Sequence, residues 1–328
     1  MEKTNVEKLY EWLNEAVMTI NMHEDAPYLD NLAMAINVLF YHDTQNLNND
    51  IVKKKLQTAL ENIQLEQYDK MEKSKAVQLA ILTGMKQSTQ QQHMMTPETV
   101  SLLTGYLASK LMAGHEKIRI FDPVSGTGSL LCTVIDQLQN PVEAYASEVD
   151  PTLIQLANGS ANLLEKEIEF FHQDSLRPLL LDPVDLVVAD LPVGYYPDDV
   201  TAAAYHLKSD EGHSYSHHLL IEQSINYVKE AGYLIFVIPN FLFDSDQADK
   251  LRGYLLEHAH IIGLLQLPET AFKSKNNAKS ILILQKKSEK SKEPKQPLLV
   301  NLPSFKNARA MEDIMNQINT WFTGFKQN

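Results

Sequence analysis

The sequence predicts an α/β protein, a mostly parallel sheet preceded by an all-helical domain. Three observations carry that reading. Ile118–Leu131 reads I-R-I-F-D-P-V-S-G-T-G-S-L-L, a short apolar strand running into a glycine turn and then an apolar helical pattern. After residue 118, five strand-like apolar runs are each followed by a helix or loop, and two more strands come close together. Residues 1–90 carry no Gly before Gly84 and only one Pro, Pro27, with apolar residues at helical spacing.

The N-terminal domain is read as residues 1–90. Val6, Leu9, Tyr10, Leu13, Ala16, Val17 and Ile20 recur at helical spacing, as do Leu29, Leu32, Ala35, Ile36 and Leu39. Two further helices are expected over 50–64 and 71–85, and the polar run Q-S-T-Q-Q-Q at 87–92 marks the end of the domain. Such a module is expected to serve packing or dimerisation, or to face a substrate or partner. The second domain, 91–328, opens on M-M-T-P-E-T-V, where Thr96 is the expected helix N-cap and Pro97 the first helical residue.

The strand Ile118–Phe121 ends in Asp122-Pro123, and Gly126 and Gly128 let a tight turn bring bare backbone to a ligand. Glu143–Glu148 is the second strand, and it leaves the acid Glu148 at its tip about 20 residues past the glycines, where doubly wound folds hold ribose hydroxyls. Asp150-Pro151 starts a helix, Ile168–His172 is a third strand followed by Asp174, and Asp185–Asp190 is a nearly all-apolar central strand. It runs into Leu191-Pro192-Val193-Gly194-Tyr195-Tyr196, on the edge of the sheet where ligands bind. The polar stretch 198–213 is expected to be a mobile loop. A helix over 215–229, a strand over 233–239, a helix over 248–257 and strands over 261–267 and 280–285 follow. A charged, locally basic linker spans 286–297, then a short strand at 298–300 and a closing helix over 309–322.

Composition narrows the function classes. The chain has 328 residues, 44% hydrophobic and 22% charged, and a formal net charge of −13. Gripping nucleic acid normally takes a basic face, so binding to nucleic acid is expected to be weak unaided. The single cysteine, Cys132, excludes a disulfide framework and a cysteine-based metal site, and it reads as a buried inert thiol. No apolar run has membrane-spanning length and the N-terminus is polar, so the expected location is the cytoplasm. His217 and His218 are neighbours, but adjacent helical residues point to different faces, so surface or packing roles are expected and no metal site.

The ordered set of motifs resembles the class I S-adenosylmethionine-dependent methyltransferases. Within these it resembles the adenine-N6 DNA methylases related to type I restriction modification subunits. The matching pieces are M-M-T-P-E-T-V, F-D-P-V-S-G-T-G-S-L-L, Glu148, H-Q-D-S-L and A-D-L-P-V-G-Y-Y, then Y-L-I-F-V-I-P-N-F-L-F through S-I-L-I-L-Q-K-K. The resemblance covers about residues 90–328. It implies a Rossmann-like seven-stranded sheet with an antiparallel edge hairpin, and S-adenosyl-L-methionine as cofactor. By position it implies that Thr96 and Pro97 border the methionine moiety, and that Asp122, Ser125, Gly126, Thr127 and Gly128 form the loop beneath it. Glu148 would take the ribose hydroxyls, and Asp174 with Ser175 the adenine end. The acceptor motif of the family, Asn or Asp, Pro, Pro, then an aromatic residue, corresponds to Asp190-Leu191-Pro192-Val193. Asp190, beside the cofactor as well, keeps a hydrogen-bond acceptor for the amino group. Leu191 loses the proline ring and Val193 the aromatic ring that stacks on an extruded base. Tyr195 or Tyr196 would have to stand in for it.

Three readings of function follow. The first is an N-methyltransferase of the adenine-N6 type acting on nucleic acid. The second keeps the cofactor and changes the acceptor to a protein side-chain amide or a small molecule. The third is a cofactor-binding or regulatory protein that acts through residues 1–90. A nicotinamide-dependent dehydrogenase fits worse, because Leu131 stands where its third fingerprint glycine belongs.

Overall fold

A computed structural model describes residues 3–23, 25–87, 95–272 and 277–326. Most of the polar run at 87–92, and residues 273–276 of the loop between the late strands, lie outside the described residues. In chain order the helices are α1 (Asn5–Asn21), α2 (Tyr28–Tyr41), α3 (Asp50–Leu60), α4 (Lys70–Gln87), α5 (Glu98–Leu111), α6 (Ser129–Gln137), α7 (Pro151–Leu163), α8 (Asp199–Ala202), α9 (Ser216–Tyr227), α10 (Ala248–His258) and α11 (Ala308–Lys326). The strands are β1 (Ile118–Asp122), β2 (Val142–Glu148), β3 (Ile168–His172), β4 (Val184–Asp190), β5 (Val228–Pro239), β6 (Ala259–Gln266), β7 (Lys279–Lys286) and β8 (Leu298–Asn301). The chain forms two compact units. One comprises Met1–Thr96, Ser125–Cys132 and Glu148–His172, the other Pro97–Val124, Thr133–Ser147 and Gln173–Asn328.

In the first unit the helix starts are set by local chemistry. Thr4 and Glu7 form a reciprocal capping box on α1, and Asn49 caps α3. Asp150 caps α7 by accepting from Thr152 and Leu153, with Pro151 at the first position. The apolar faces of the N-terminal helices share one core with α7: Leu9, Leu13, Ile36 and Leu39 belong to the same cluster as Leu153, Leu156 and Leu163. The helical module is therefore completed by the helix that follows Glu148. Thr152 Oγ1 donates to Asp30 at 2.5 Å, and a Cβ added at Gly159 would lie 2.7 Å from Ile36 Cγ2. Cys132 is buried with Ala161 and Leu164, in line with the burial expected of it.

The second unit holds the sheet strands β2-β1-β4-β5-β7-β6-β8 in that spatial order. The ladder is parallel from β2 to β5. It is antiparallel on both sides of β7 and parallel again between β6 and β8. With β3 the described strands number eight. The expected count of seven is therefore corrected, and the β6–β7 hairpin is not the edge: the short strand at 298–301 lies outside it. Gly263–Gln266 of β6 would otherwise present unpaired backbone groups, and β8 pairs with those residues.

Two local expectations are also corrected. Pro97, not Thr96, is the N-cap of α5, with its carbonyl accepting from Val100 and Ser101. The stretch 198–213 is pinned. Asp198 caps α8, the Tyr205 hydroxyl donates to the Leu176 carbonyl at 2.6 Å, and the buried Glu222 carboxylate accepts from the His206 and Leu207 amides.

Candidate functional site

The glycine turn lies in the first unit and is built around one carboxylate. Gly126 and Gly128 have φ of +54° and +76°, a region that favours glycine. The Gly128 amide closes the turn on the Ser125 carbonyl at 2.8 Å. The Gly126 amide donates to Glu148 Oε2 at 2.8 Å. The other oxygen, Oε1, accepts from the Val149 and Asp150 amides at 2.9 and 3.0 Å. A carboxylate offers about four acceptor positions, so three backbone amides leave about one for a ligand. Glu148 is thus a clamp on the turn as well as a candidate ribose partner.

The residues of this turn fit a polar cofactor. The Ser125 hydroxyl is buried without a hydrogen-bond partner, and such a group costs free energy unless something bonds to it. A Cβ on Gly126 would meet nothing within 4 Å, so the turn faces open space there. Gly128 is glycine for a different reason, since its Cβ would stand 3.2 Å from that of Ala157. Thr127 and Thr96 are buried beside their neighbours in the chain.

The second unit carries the remaining expected residues. Asp122 is buried, and its Oδ1 accepts from the Val124 amide at 3.1 Å, which turns the chain at Pro123. Ser175 supports that turn, donating to the Pro123 carbonyl at 2.5 Å while its own carbonyl accepts from Gln223. Its hydroxyl is therefore committed to the protein. Asp174 accepts from the Leu176 amide through Oδ1 at 2.9 Å and from the Tyr196 hydroxyl through Oδ2 at 2.6 Å. Burial, with the Asp174 carboxylate next, pushes the Tyr196 phenol up, so it stays a donor. Pro97, at the head of α5, belongs to this unit too.

Asp190 ends β4 opposite Val237 of β5. The ladder continues one residue further: the Leu191 amide donates to the Val237 carbonyl at 3.0 Å. A proline has no N–H to make that bond. The sheet therefore fixes the Leu191 backbone in place of the missing ring. Lys279, the first residue of β7, places its ammonium on Asp190 Oδ1. Their side chains are only 16% and 13% exposed, so the pair is largely shielded from water. Pro192 and Val193 are exposed, and Val193 presents no ring.

The two tyrosines after Gly194 behave differently. Tyr196 is buried and bonded to Asp174, so it cannot swing out to stack on a base. Tyr195 is exposed and lies on Tyr215, with ring centroids 4.9 Å apart and planes 14° apart. The segments are zipped together: the Ser216 amide donates to the Gly194 carbonyl and the Tyr196 amide to the Ser214 carbonyl. Behind them His217 and His218 are fully buried, with the Pro192 backbone beside the His217 ring. Burial holds both neutral, His217 lowered to about 4 and His218 to about 3. The expectation that they face apart is corrected. Their rings meet edge to face at 4.8 Å, and both touch Tyr215, because the Tyr195–Tyr215 bridge covers the start of α9. No group of three or more His, Cys, Asp or Glu side chains suited to a metal occurs among the described residues.

Lys279 and Tyr215 are the site residues that sequence reasoning did not assign. The antiparallel register that brings Lys279 to Asp190 has no local signature, whereas Tyr195 and Tyr196 were visible as the nearest aromatics to Val193.

Comparison with known proteins agrees with this geometry. Residues 81–323 match the N-6 DNA methylase family, and residues 7–85 match the YtxK N-terminal helical domain. The chain is 47% identical over 325 residues to an uncharacterized protein, YtxK, of Bacillus subtilis, covering 98% of this chain and 99% of that one. A Listeria monocytogenes crystal structure, assigned to the class I S-adenosylmethionine-dependent methyltransferases, superposes with a TM-score of 0.91 at 38% identity, covering 97% of this chain and 99% of that one. A protein described as the modification subunit of a type I restriction enzyme from Vibrio vulnificus shares the fold, with a TM-score of 0.66 at 14% identity over 88% of this chain and 66% of that one. With the match spanning the glycine turn, the acid-tipped strands and the late antiparallel strand, the chain belongs to the N-6 DNA methylase family, S-adenosylmethionine-dependent methyltransferases of the adenine-N6 type.

Proposed function

We propose that the chain binds S-adenosyl-L-methionine at the glycine turn and transfers its methyl group to a nitrogen that carries N–H bonds. When bound, the cofactor supplies an electrophilic methyl on a sulfonium. The observation that carries the reading is the open face of Gly126 beside the orphaned Ser125 hydroxyl, held in shape by Glu148. Glu148 has one acceptor position left for a ribose hydroxyl, and Asp174 is the acceptor for an adenine amino group, exchanging its bond from Tyr196. Thr96, Pro97 and Asp122 border the methionine end.

Asp190 carries the chemistry on the acceptor side. An amino or amide nitrogen is a poor nucleophile because its lone pair is delocalised. A carboxylate accepting one N–H, with the Leu191 carbonyl accepting the other, favours the localised lone pair. The N–H proton that the nitrogen gives up on methylation would pass to Asp190 Oδ. Tyr195, exposed and backed by Tyr215, offers the stacking face that Val193 lacks.

The Lys279 ammonium favours a second reading of the acceptor. It places a donor beside the Asp190 acceptor, which matches a carboxamide, with its N–H toward Asp190 and its carbonyl toward Lys279. With a net charge of −13, action on duplex DNA needs a partner, and the helices of residues 1–90, with Met18 and Met22 exposed, are the proposed partner-facing module. The test is equilibrium binding of the cofactor together with labelled-methyl transfer into DNA, RNA and protein fractions. Label in DNA or RNA supports the nucleobase acceptor, and label in protein the amide. Binding with no transfer into any fraction overturns the catalytic reading.

A further inference from the structure

We propose that the second unit carries a separate nucleotide-binding cleft, formed by the basic 286–297 segment and the end of α11. This inference does not depend on the methyl-transfer reading.

The cleft has a volume of about 730 Å³, within the range that holds a nucleotide-sized ligand. Tyr233, Gln285 and Leu111 line it from the sheet and α5, while Trp321 and Phe325 line it from α11. Tyr233 and Gln285 pair with each other at one end of the β5–β7 ladder, and Pro239 and Lys279 pair at the other. Six residues of strand, about 20 Å, therefore separate this cleft from the Asp190–Lys279 pair. It belongs to no part of the site described above.

Its wall is ordered by the protein's own bonds. The segment 286–297 contains five lysines and two glutamates, a local charge of +3 (five minus two) in a chain whose net charge is −13. Its backbone is fixed at several points. The Lys287 amide donates to the His258 carbonyl at 2.9 Å, and the Ser288 amide to Ser291 Oγ at 2.8 Å. Ser291 Oγ also meets the His260 ring, and the Trp321 indole N–H donates to the Gln296 carbonyl at 2.9 Å. The last bond ties the basic segment directly to the aromatic wall. There Trp321 and Phe325 stack with centroids 4.8 Å apart and planes 14° apart. Lys110, Lys290, Lys292 and Lys295 line the cleft, against one acid, Glu293.

Parallel aromatic rings beside several ammonium groups recognise a planar ring attached to phosphate. The rings supply sequence-tolerant stacking and the lysines neutralise the phosphates. A phosphate alone would use the lysines and leave the rings idle, and an apolar ligand would do the reverse. The fitting ligand class is a nucleotide, presented free or as part of a single strand.

The chain has two tryptophans, Trp12 and Trp321. In the full chain carrying Trp12→Phe, Trp321 fluorescence becomes the reporter. Titration with ATP and with a single-stranded oligothymidylate is expected to quench it saturably. Tripolyphosphate should bind at least about tenfold more weakly, since it offers no ring. Lys290→Glu with Lys295→Glu, both on the exposed wall, should weaken nucleotide binding about tenfold or more and flatten its salt dependence, while cofactor binding at the glycine turn stays unchanged. Tighter binding of ATP assigns the site to free nucleotides, and tighter binding of the oligomer assigns it to a strand. Absence of saturable quenching, tripolyphosphate binding as tightly as ATP, or affinity unmoved by the charge reversal would each overturn the proposal.

Discussion

The ammonium of Lys279 rests on the carboxylate of Asp190, so the acceptor at the end of β4 is paired across the β5–β7 ladder with a cation. This pairing balances the charge of a shielded carboxylate and lowers its power as a hydrogen-bond acceptor. A positive charge there also opposes a nitrogen that gains positive character as the methyl arrives. Lys279→Met is expected to raise the rate of methyl transfer up to about tenfold, and to destabilise the fold by roughly 3 kcal/mol because a shielded charge loses its partner. Asp190→Ala should instead cut the rate about 100-fold or more, with the cofactor Kd little changed. Single-turnover transfer assays with urea unfolding separate the two effects. A Lys279→Met enzyme slower than wild type would mean that the ammonium assists the reaction.

Gly126 and Gly128 are both left-handed, but substitution separates their roles. At Gly126 a Cβ meets open space, so Gly126→Ala should cost only the left-handed strain, roughly 1–2 kcal/mol, while placing a methyl where the ligand lies. Cofactor affinity is expected to fall about tenfold or more, out of proportion to stability. Calorimetric titration and thermal unfolding, run on the same sample, check the split. Equal losses in both would make the turn a purely structural feature.

Glu148 is a clamp whose amide partners can be counted, three backbone N–H groups on two oxygens. Glu148→Gln keeps the shape but replaces one accepting oxygen with an NH₂ donor that opposes at least one of those amides. The expected cost is roughly 2–3 kcal/mol of stability, together with weakened cofactor binding. Amide exchange should quicken first at Gly126. Unchanged exchange there would show that the turn holds its own shape.

These features differ in how far they could be read from the chain. Gly126, Gly128 and Glu148 were legible because turn chemistry and strand ends leave local marks, and the structure joins Gly126 directly to Glu148. The central position of β4 was legible because Val184–Ala189 is almost wholly apolar. Lys279 was not, since its meeting with Asp190 depends on the order β4-β5-β7, which no short stretch encodes. Leu191 read as a departure from the family motif, and only the ladder bond to Val237 shows how the backbone is held without a proline. Helix geometry predicted different faces for His217 and His218, and it could not show that both rings meet under Tyr215.

The docking of α7 on the N-terminal helices rests on close backbone approach at Gly159, where a Cβ would lie 2.7 Å from Ile36 Cγ2. Gly159→Ala gains helix propensity of about 1 kcal/mol but overpacks the interface, at a cost of roughly 1–3 kcal/mol. A net loss of stability is expected, recovered by the added substitution Ile36→Val or Ile36→Ala. A double-mutant cycle in urea checks this. Additive effects of the two changes would mean that the residues do not meet in solution.

The two buried histidines give the fold a pH dependence with a definite sign. In the unfolded chain each imidazole takes up a proton near pH 6.5, whereas burial lowers His217 to about 4 and His218 to about 3. Above pH 7 both states are neutral, and neither ring changes stability with pH. Below about 6.5 the unfolded chain binds protons that the folded chain refuses, so stability falls as the pH drops, continuing until the folded values are reached. The slope approaches about 1.4 kcal/mol per pH unit for each histidine. Urea midpoints should therefore be level between about pH 7 and 8 and decline below pH 6, while carboxylates remain ionised in both states. His218→Leu removes one titrating ring and is expected to make the decline between pH 6 and 5 shallower, with His217 and His260, both also lowered by burial, carrying the rest. An identical slope in wild type and variant would show that the ring reaches water and protonates in the folded state.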